Sequence, residues 1–418
     1  MKSVLNAAMR KAGQLTRNRD LIAATKVIQR ALSGLGKSDE RPAPPQAPAG
    51  PAATGDSSTG FHFPHIKRPL GKVVELLREA HAHPLYASPP PGADSDAGSA
   101  LENASSAAAS ATPAVARERG AFAARRYACK AGARDYKLYV PGLQAPGAAA
   151  MRGAGARPAL IIMLHGCTQG PDDFAAGTKM NTLAEEFGFI VAYPKQDASA
   201  NQSGCWNWFL LKDQMRETGE PRIISGITRE IMQEFNVDPG RVYVAGLSAG
   251  GAMAAVMSAT YPELYAAAGV HSGLAYKSAS DLLSGLTAMR GKSNPALAAT
   301  KYRDLDHAHR AVRTIVFHGG SDQTVHPSNG EMIVAEARAR IAPGDHEVQT
   351  GVSAGGRAYV RTIMTDEGGT AVVEHWEIEG LGHAWSGGDP RGSYTDPRGP
   401  DASRQMLRFF FDGPGAEA

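Results

Sequence analysis

Beyond about residue 120, apolar residues recur in two alternating patterns, and these predict strands and helices in turn. Residues 160–164 are continuously apolar, as expected for a strand buried on both faces, whereas residues 136–141 alternate between apolar and polar. Ile223, Ile227 and Ile231 recur at helical spacing. Further strands are predicted at 189–193, before residue 248, and at 268–271, 314–319 and 372–378, and a further helix at 180–187. This alternation predicts an α/β fold with a mostly parallel central sheet flanked by helices.

The N-terminal part of the chain has a different character. Residues 1–36 are predicted to be a helical segment, either packed on the main domain or a partner chain or acting as a docking helix for a hydrophobic surface. Residues 37–119 are rich in Ala, Pro, Ser and Gly, which predicts a flexible linker with one short amphipathic helix at about 69–81. The chain is therefore divided into this partly disordered helical extension, an α/β catalytic domain at 120–412 and a tail at 413–418.

Composition excludes several classes of protein. Lys and Arg number 44 against 41 for Asp and Glu, so no basic field indicates nucleic-acid binding. No apolar run approaches the length of a transmembrane segment, and the N-terminus lacks the continuous apolar core of a signal peptide. The three cysteines permit at most one disulfide bridge, and no spacing of ligand residues predicts a metal site.

The segment around Ser248 carries the clearest chemical signal. A β-branched and aromatic run leads into Gly246-Leu247-Ser248-Ala249-Gly250, and small residues that favour a helix follow. A serine at the tip of a sharp strand-to-helix turn has its hydroxyl exposed, and the flanking glycines remove Cβ atoms that would clash. Ser248 is therefore a candidate nucleophile.

A serine nucleophile needs a base, and the base needs an acid that holds its tautomer. Asp322 directly follows the predicted strand 314–319, and His383 lies in a glycine-rich loop after the last predicted strand. The order Ser248, Asp322, His383 is the one expected when all three lie at the carboxyl edge of such a sheet. Weaker rivals are His271, His318, His326 and His375 as base, and Asp304 and Asp306 as acid.

The oxyanion of a tetrahedral intermediate needs backbone N–H donors. One donor is expected from Ala249, directly after the nucleophile. The second is expected from the loop after strand 160–164, where Gly166 allows the amide of Cys167 to turn inward. No step of such a reaction requires a cofactor.

Five ordered motifs together resemble the poly(hydroxyalkanoate) depolymerase family of esterases, which are α/β-hydrolases related to feruloyl and acetylxylan esterases. The motifs are LHGCTQ at 164–169, CWNWF at 205–209, GLSAGG at 246–251, HGGSD at 318–322 and GHAW at 382–385. The resemblance covers roughly residues 120–412, including the segment 393–401. It implies the same triad and the same oxyanion amides. It also implies Cys205 as the natural disulfide partner of Cys167.

Trp206, Trp208 and Trp385 lie in these motif loops. They are predicted either to form an apolar wall for the substrate or to cap the core, since aromatic residues serve both purposes. His165, in the oxyanion loop, joins them as a candidate substrate-binding residue.

Three functional hypotheses follow. The first is a serine esterase that hydrolyses poly(hydroxyalkanoate) or its short oligomers, in the cytoplasm or at polymer granules that the N-terminal helices contact. The second is a feruloyl or acetylxylan type of carbohydrate esterase, which would favour an extracellular protein. The third is a granule- or partner-binding protein with incidental catalysis, against which the complete triad argues. Fold and triad alone do not identify the ester.

Overall fold

The computed structural model describes residues 120–147, 155, 157–292, 312–339 and 344–412. All of them belong to one unit of the chain, Ser106–Ala418. The predicted helical segment 1–36, the linker 37–119 with its helix at about 69–81, and the tail 413–418 lie outside the described residues. Within the described ranges, no helix has both the length and the apolar composition that crossing a bilayer would require.

A single sheet of ten strands organises the described residues. In chain order its strands are β1 Ala121–Cys129, β2 Gly132–Val140, β3 Ala159–Leu164, β4 Phe189–Pro194, β5 Val242–Leu247, β6 Ala267–His271, β7 Arg313–Gly319, β8 His346–Val352, β9 Ala358–Thr365 and β10 Ala371–Ile378. In space they follow the order β1-β2-β4-β3-β5-β6-β7-β10-β9-β8. The six central strands pair in parallel, in the spatial order β4-β3-β5-β6-β7-β10. Antiparallel pairs extend the sheet at both ends. The predicted parallel centre is confirmed.

Helices cover both faces of this sheet. They are α1 Pro171–Thr178, α2 Met180–Phe187, α3 Gly219–Glu234, α4 Ala249–Thr260, α5 Leu282–Met289, α6 Ser328–Arg338 and α7 Ala402–Phe411, and a 3-10 helix spans Leu211–Gln214. A second, two-stranded sheet pairs β11 Trp385–Ser386 with β12 Thr395–Asp396.

The central strands are apolar along their whole length because both faces are buried. In β3, Leu160, Ile162 and Leu164 belong to the core on one face of the sheet. Ile161 and Met163 belong to the core on the other face. Burying one such side chain stabilises the fold by about 1.5–3 kcal/mol, so a strand with no polar position can only be stable between two layers.

Three strands of the sheet were not predicted from the sequence: β1, β8 and β9. They form its two outer parts, where the side chains of β8 are mostly exposed and those of β9 are all half-buried. Strands at an edge of the sheet, such as β1 and β8, or next to one, such as β9, lie partly in water, so neither a continuous apolar run nor a clean alternation is required of them. The sequence pattern is correspondingly weak.

The carboxyl ends of the parallel strands lie at one edge of the sheet, and the chain leaves that edge in four loops of interest. These are residues 165–170 after β3, the turn at Ser248 after β5, residues 320–327 after β7 and residues 379–401 after β10. Every residue of the predicted triad and oxyanion hole lies in one of these loops or at the start of α4. The fold therefore brings the four sequence segments to a common rim.

Candidate active site

Ser248 occupies a strained turn between β5 and α4. Its backbone angles are φ 57° and ψ −119°, a region that side-chain-bearing residues rarely adopt. A Cβ on Gly250 would lie 2.0 Å from the carbonyl oxygen of Leu164, and one on Gly246 would lie 2.4 Å from the backbone of Gly250. The Ser248 amide donates a 2.9 Å hydrogen bond to the carbonyl of His271. Strain held this firmly at a strand end is typical of an active-site serine.

The loop after β3 lies directly beside this turn. A Cβ on Gly166 would be 3.6 Å from the Cβ of Ser248, and the Gly166 amide donates to Oε1 of Gln169 at 2.9 Å. A disulfide joins Cys167 to Cys205, with 4.2 Å between their Cα atoms. The loop that carries the predicted oxyanion amide of Cys167 is thus restrained at Gly166 and at Cys167.

The other predicted oxyanion amide belongs to Ala249. This residue is the first of helix α4. A helix leaves its first amides without intrahelical partners and carries partial positive charge at that end. An oxyanion beside Ser248 would therefore meet a donor that the helix itself does not use.

Asp322 and His383 form a hydrogen-bonded pair on the same rim. Oδ2 of Asp322 accepts from Nδ1 of His383 at 2.7 Å, and its Oδ1 accepts from the amides of Thr324 and Val325 at 2.9 Å each. Burial raises the pKa of the Asp322 carboxyl, but the His383 bond, the His383 charge and the Val325 amide together lower it below its ordinary value. A carboxylate can only accept, so in the neutral imidazole of His383 the proton lies on Nδ1 and the lone pair on Nε2.

His271 links the serine turn to the His383 loop. Its carbonyl holds the Ser248 amide, and its ring nitrogen Nε2 accepts from the amide of Ser386 at 3.0 Å. The ring also stacks on Trp385, with 5.1 Å between centroids. Burial lowers the pKa of His271 to about 3, with a smaller contribution from the charges of nearby histidines that include His383. His271 therefore stays neutral and acts as a fixed connector.

The other rivals occupy different positions. Nε2 of His318 bonds to a backbone carbonyl at 2.9 Å, and His375 is buried within β10. His326 is exposed and its ring pairs with a serine hydroxyl at 2.9 Å. Asp304 and Asp306 lie outside the described residues.

The tryptophans of the motif loops are all buried. Trp206 is 0%, Trp385 1% and Trp208 6% exposed. Nε1 of Trp206 donates to the carbonyl of His165 at 3.1 Å, and Nε1 of Trp385 donates to Ser403 Oγ at 3.0 Å. Side chains with so little exposed surface match the core-capping alternative, and the structure offers no open tryptophan wall among these three.

His165 is also buried, with 1% of its surface exposed. Its Nδ1 lies 2.8 Å from the carbonyl of Gly166, and its Nε2 accepts from the amide of Gln196 at 3.1 Å. Burial lowers the pKa of the ring. Because both ring nitrogens are engaged within the protein, His165 is placed to support the oxyanion loop rather than to contact a substrate.

Sequence reasoning missed a polar group that fastens the oxyanion loop to the loop after β10. Nε2 of Gln169 donates to Oδ2 of Asp173 at 2.9 Å and to the carbonyl of Ser393 at 3.1 Å. The Ser393 amide in turn donates to Oδ1 of Asp173 at 2.8 Å. Single polar residues in loops give no periodic signal, so only the resemblance of segments 164–169 and 393–401 pointed to this region.

In the part of the chain that the structure describes, His, Cys, Asp and Glu side chains form no group of three that could hold a metal ion. A strained serine, a histidine bonded to a carboxylate, and a loop and a helix N-terminus beside the serine are the components that acyl-transfer chemistry requires.

The fold is that of the α/β-hydrolases. A solved structure with a similar fold is the acetyl xylan esterase from Aspergillus awamori, at a TM-score of 0.51 and 22% sequence identity, covering 67% of this chain and 94% of that one. The sequence model of the family described as "Esterase PHB depolymerase" matches residues 134–342, and the chain belongs to that family.

Two relatives are similar to parts of this chain. The poly(3-hydroxyalkanoate) depolymerase C of Paucimonas lemoignei is 33% identical over 237 residues, which cover 55% of this chain and 56% of that protein. The feruloyl esterase B of Neurospora crassa is 32% identical over 184 residues, which cover 41% of this chain and 61% of that protein. The chain thus spans little more than half the length of either relative.

Proposed function

We propose that this protein is a serine hydrolase of carboxylic esters, with Ser248 as nucleophile, His383 as base and Asp322 as the acid that orients the base. The observation that carries the proposal is the 2.7 Å bond from His383 Nδ1 to Asp322 Oδ2, on the rim where Ser248 occupies its strained turn. Membership of an esterase family supports the same reaction class.

The reaction has two steps. His383 Nε2 accepts the Ser248 proton as the hydroxyl attacks the ester carbonyl, and the amides of Cys167 and Ala249 bind the resulting oxyanion. The carbon–oxygen bond to the alcohol then breaks, and the alcohol leaves with the proton from His383. Water attacks the acyl-enzyme with the same base, and the free acid departs.

The substrate in this proposal is a poly(hydroxyalkanoate) or one of its short oligomers. The description of the family and the similarity to a poly(3-hydroxyalkanoate) depolymerase support this class. The similarity to a feruloyl esterase and to the fold of an acetyl xylan esterase keeps a carbohydrate esterase as the second candidate.

Replacement of the nucleophile tests the reaction class. Ser248→Ala is expected to abolish hydrolysis of a nitrophenyl ester while thermal unfolding stays close to that of the wild type. Ser258→Ala is a matched control because Ser258 lies on α4 and its hydroxyl bonds only to a helical carbonyl. Retained turnover in Ser248→Ala would exclude the proposed nucleophile.

A hydrolysis panel separates the two substrate classes. It compares hydroxybutyrate oligomers, amorphous polymer granules, methyl ferulate and acetylated xylan. If the substrate is a poly(hydroxyalkanoate) or its oligomer, we expect kcat/KM to be highest for the hydroxybutyrate oligomers, or soluble acid to be released from the granules. Preference for methyl ferulate or acetylated xylan would assign the carbohydrate class instead.

In the same proposal, residues 120–412 form the catalytic domain. Residues 1–119 bind the surface of a polymer granule and so localise the enzyme there. A chain without residues 1–119 is expected to hydrolyse soluble esters as the full chain does but to lose its association with granules. Unchanged association would remove the proposed role of residues 1–119.

A further inference from the structure

Tyr394, in the loop after β10, combines a strained backbone conformation with an exposed side chain. Its φ is 51°, in the left-handed region, although it is not glycine. Its side chain is 44% exposed, so burial does little to offset that strain. Strained residues that the surrounding structure holds in place are concentrated at functional sites.

The backbone around Tyr394 is held in place on several sides. Its carbonyl accepts from the Trp385 amide at 2.7 Å, and the preceding Ser393 is fastened to Asp173. A Cβ on Gly392 would lie 2.4 Å from the Cα of Gly177 in α1, so the loop lies backbone against backbone on that helix. The exposed ring therefore stands on a rigid support.

The side chain of Tyr394 reaches both halves of the proposed site. Its ring stands edge-to-face with the ring of His383, with 6.5 Å between centroids. Its hydroxyl lies 3.1 Å from Oγ1 of Thr168. Since Thr168 Oγ1 already donates its single proton to the Cys167 carbonyl at 2.6 Å, Tyr394 must be the donor to Thr168.

This hydrogen-bond chain bears on the oxyanion loop. Thr168 is itself in a left-handed conformation, with φ 63°, and directly follows the residue whose amide faces the oxyanion in the proposed mechanism. Holding the carbonyl of Cys167 restrains the rotation of that residue, including its N–H. Tyr394 therefore restrains the donor through its hydroxyl while its ring stands beside the base.

We propose that Tyr394 sets the specificity of the site for the alcohol part of the ester and positions the oxyanion loop through Thr168. This inference rests on the proposed function. His383 protonates the leaving alcohol oxygen, so the group attached to that oxygen lies beside the imidazole, where the Tyr394 ring offers a flat apolar surface. In a hydroxyalkanoate oligomer that group is the next hydroxyacyl unit.

The test uses two ester series with the full-length protein. The alcohol series keeps acetate and varies the alcohol through methyl, butyl and benzyl; the acyl series keeps methanol and varies the acid through acetate, butyrate and hexanoate. Tyr394→Ala is expected to raise KM about 10-fold for butyl and benzyl acetate relative to methyl acetate. The ratios of KM within the acyl series are expected to stay as in the wild type.

The hydroxyl is tested separately from the ring. Tyr394→Phe and Thr168→Val each break the hydrogen-bond chain and are expected to lower kcat by about 3- to 10-fold with little change in KM. Thr168→Ser retains the hydroxyl and is expected to restore kcat to near the wild-type value. Val352→Ala, at an exposed position of the edge strand β8, is the surface control.

If Tyr394→Ala changed the KM ratios equally in the alcohol and acyl series, or in neither series, the assignment of alcohol specificity would be overturned. Unchanged kcat in both Tyr394→Phe and Thr168→Val would overturn the positioning role. If Tyr394→Ala does not fold, Tyr394→Gly replaces it, because glycine suits a positive φ. A wild type that hydrolyses no ester, or an active Ser248→Ala, would instead contradict the proposed function itself.

Discussion

Asp322→Asn is the most discriminating change that the site allows. Oδ1 of Asp322 accepts from two backbone amides, those of Thr324 and Val325. An asparagine must keep its carbonyl oxygen in that position, because the opposite orientation would set its NH₂ group against two N–H donors. The NH₂ group therefore takes the place of Oδ2. In the wild type, Oδ2 accepts from His383 Nδ1 at 2.7 Å.

The consequence is a reversed imidazole tautomer. Facing an N–H donor, Nδ1 of His383 becomes the acceptor and Nε2 carries the proton, so it can no longer accept one from Ser248. Loss of the charge-assisted bond alone corresponds to about 1.5–3 kcal/mol, or roughly 10- to 150-fold in rate. The wrong tautomer is expected to bring the total loss in kcat to about 10⁴-fold.

The assay is kcat on a soluble nitrophenyl ester, with circular dichroism to verify the fold. Asp366→Asn is the matched control, because Oδ1 of Asp366 also accepts from two backbone amides, those of Gly368 and Thr370, in the turn between β9 and β10. The control is expected to retain wild-type kcat. Retention of more than about one hundredth of kcat in Asp322→Asn would refute the tautomer argument.

Two further predictions concern the loops around Ser248. Gly250→Ala places a Cβ 2.0 Å from a backbone carbonyl of β3, so it is expected to lower both the melting temperature and the esterase activity. The control is Gly170→Ala, whose Cβ has nothing within 4 Å, and it is expected to change neither. Cys205→Ser removes the bridge to Cys167, which spans 38 residues, and is expected to lower the free energy of unfolding by about 2–4 kcal/mol in urea titration. Cys129→Ser, at the free cysteine, is its control. An unchanged melting temperature for Gly250→Ala, or equal midpoints for the two cysteine variants, would contradict these arguments.

The parts of the fold that could be predicted from the sequence are those in which one local rule dominates. The central strands β3, β4 and β5 are apolar at every position because both faces are buried, and this pattern is visible without any partner. The candidate triad could be proposed for a similar reason. Each member follows a strand of the parallel sheet, and such strands end at one edge.

The sequence did not distinguish roles that depend on burial. Trp206 and Trp385 could have formed a substrate wall or capped the core, and only their near-complete burial favours the second. His271 looked like a poor candidate base, yet the structure makes it the connector between Ser248 and the His383 loop. Exposure and partners are properties of the packed chain, because they depend on segments distant in sequence.

The sequence by itself determined the α/β class and predicted the sharp serine turn and the order of the proposed nucleophile, acid and base, since these depend on local pattern and on strand polarity. Only the tertiary structure decided which loops meet around Ser248. Tyr394 lies 226 positions from Thr168, and the bond between their hydroxyls exists because α1 and the loop after β10 pack backbone against backbone. Such a contact leaves no periodic trace in the chain, because two single residues suffice to make it.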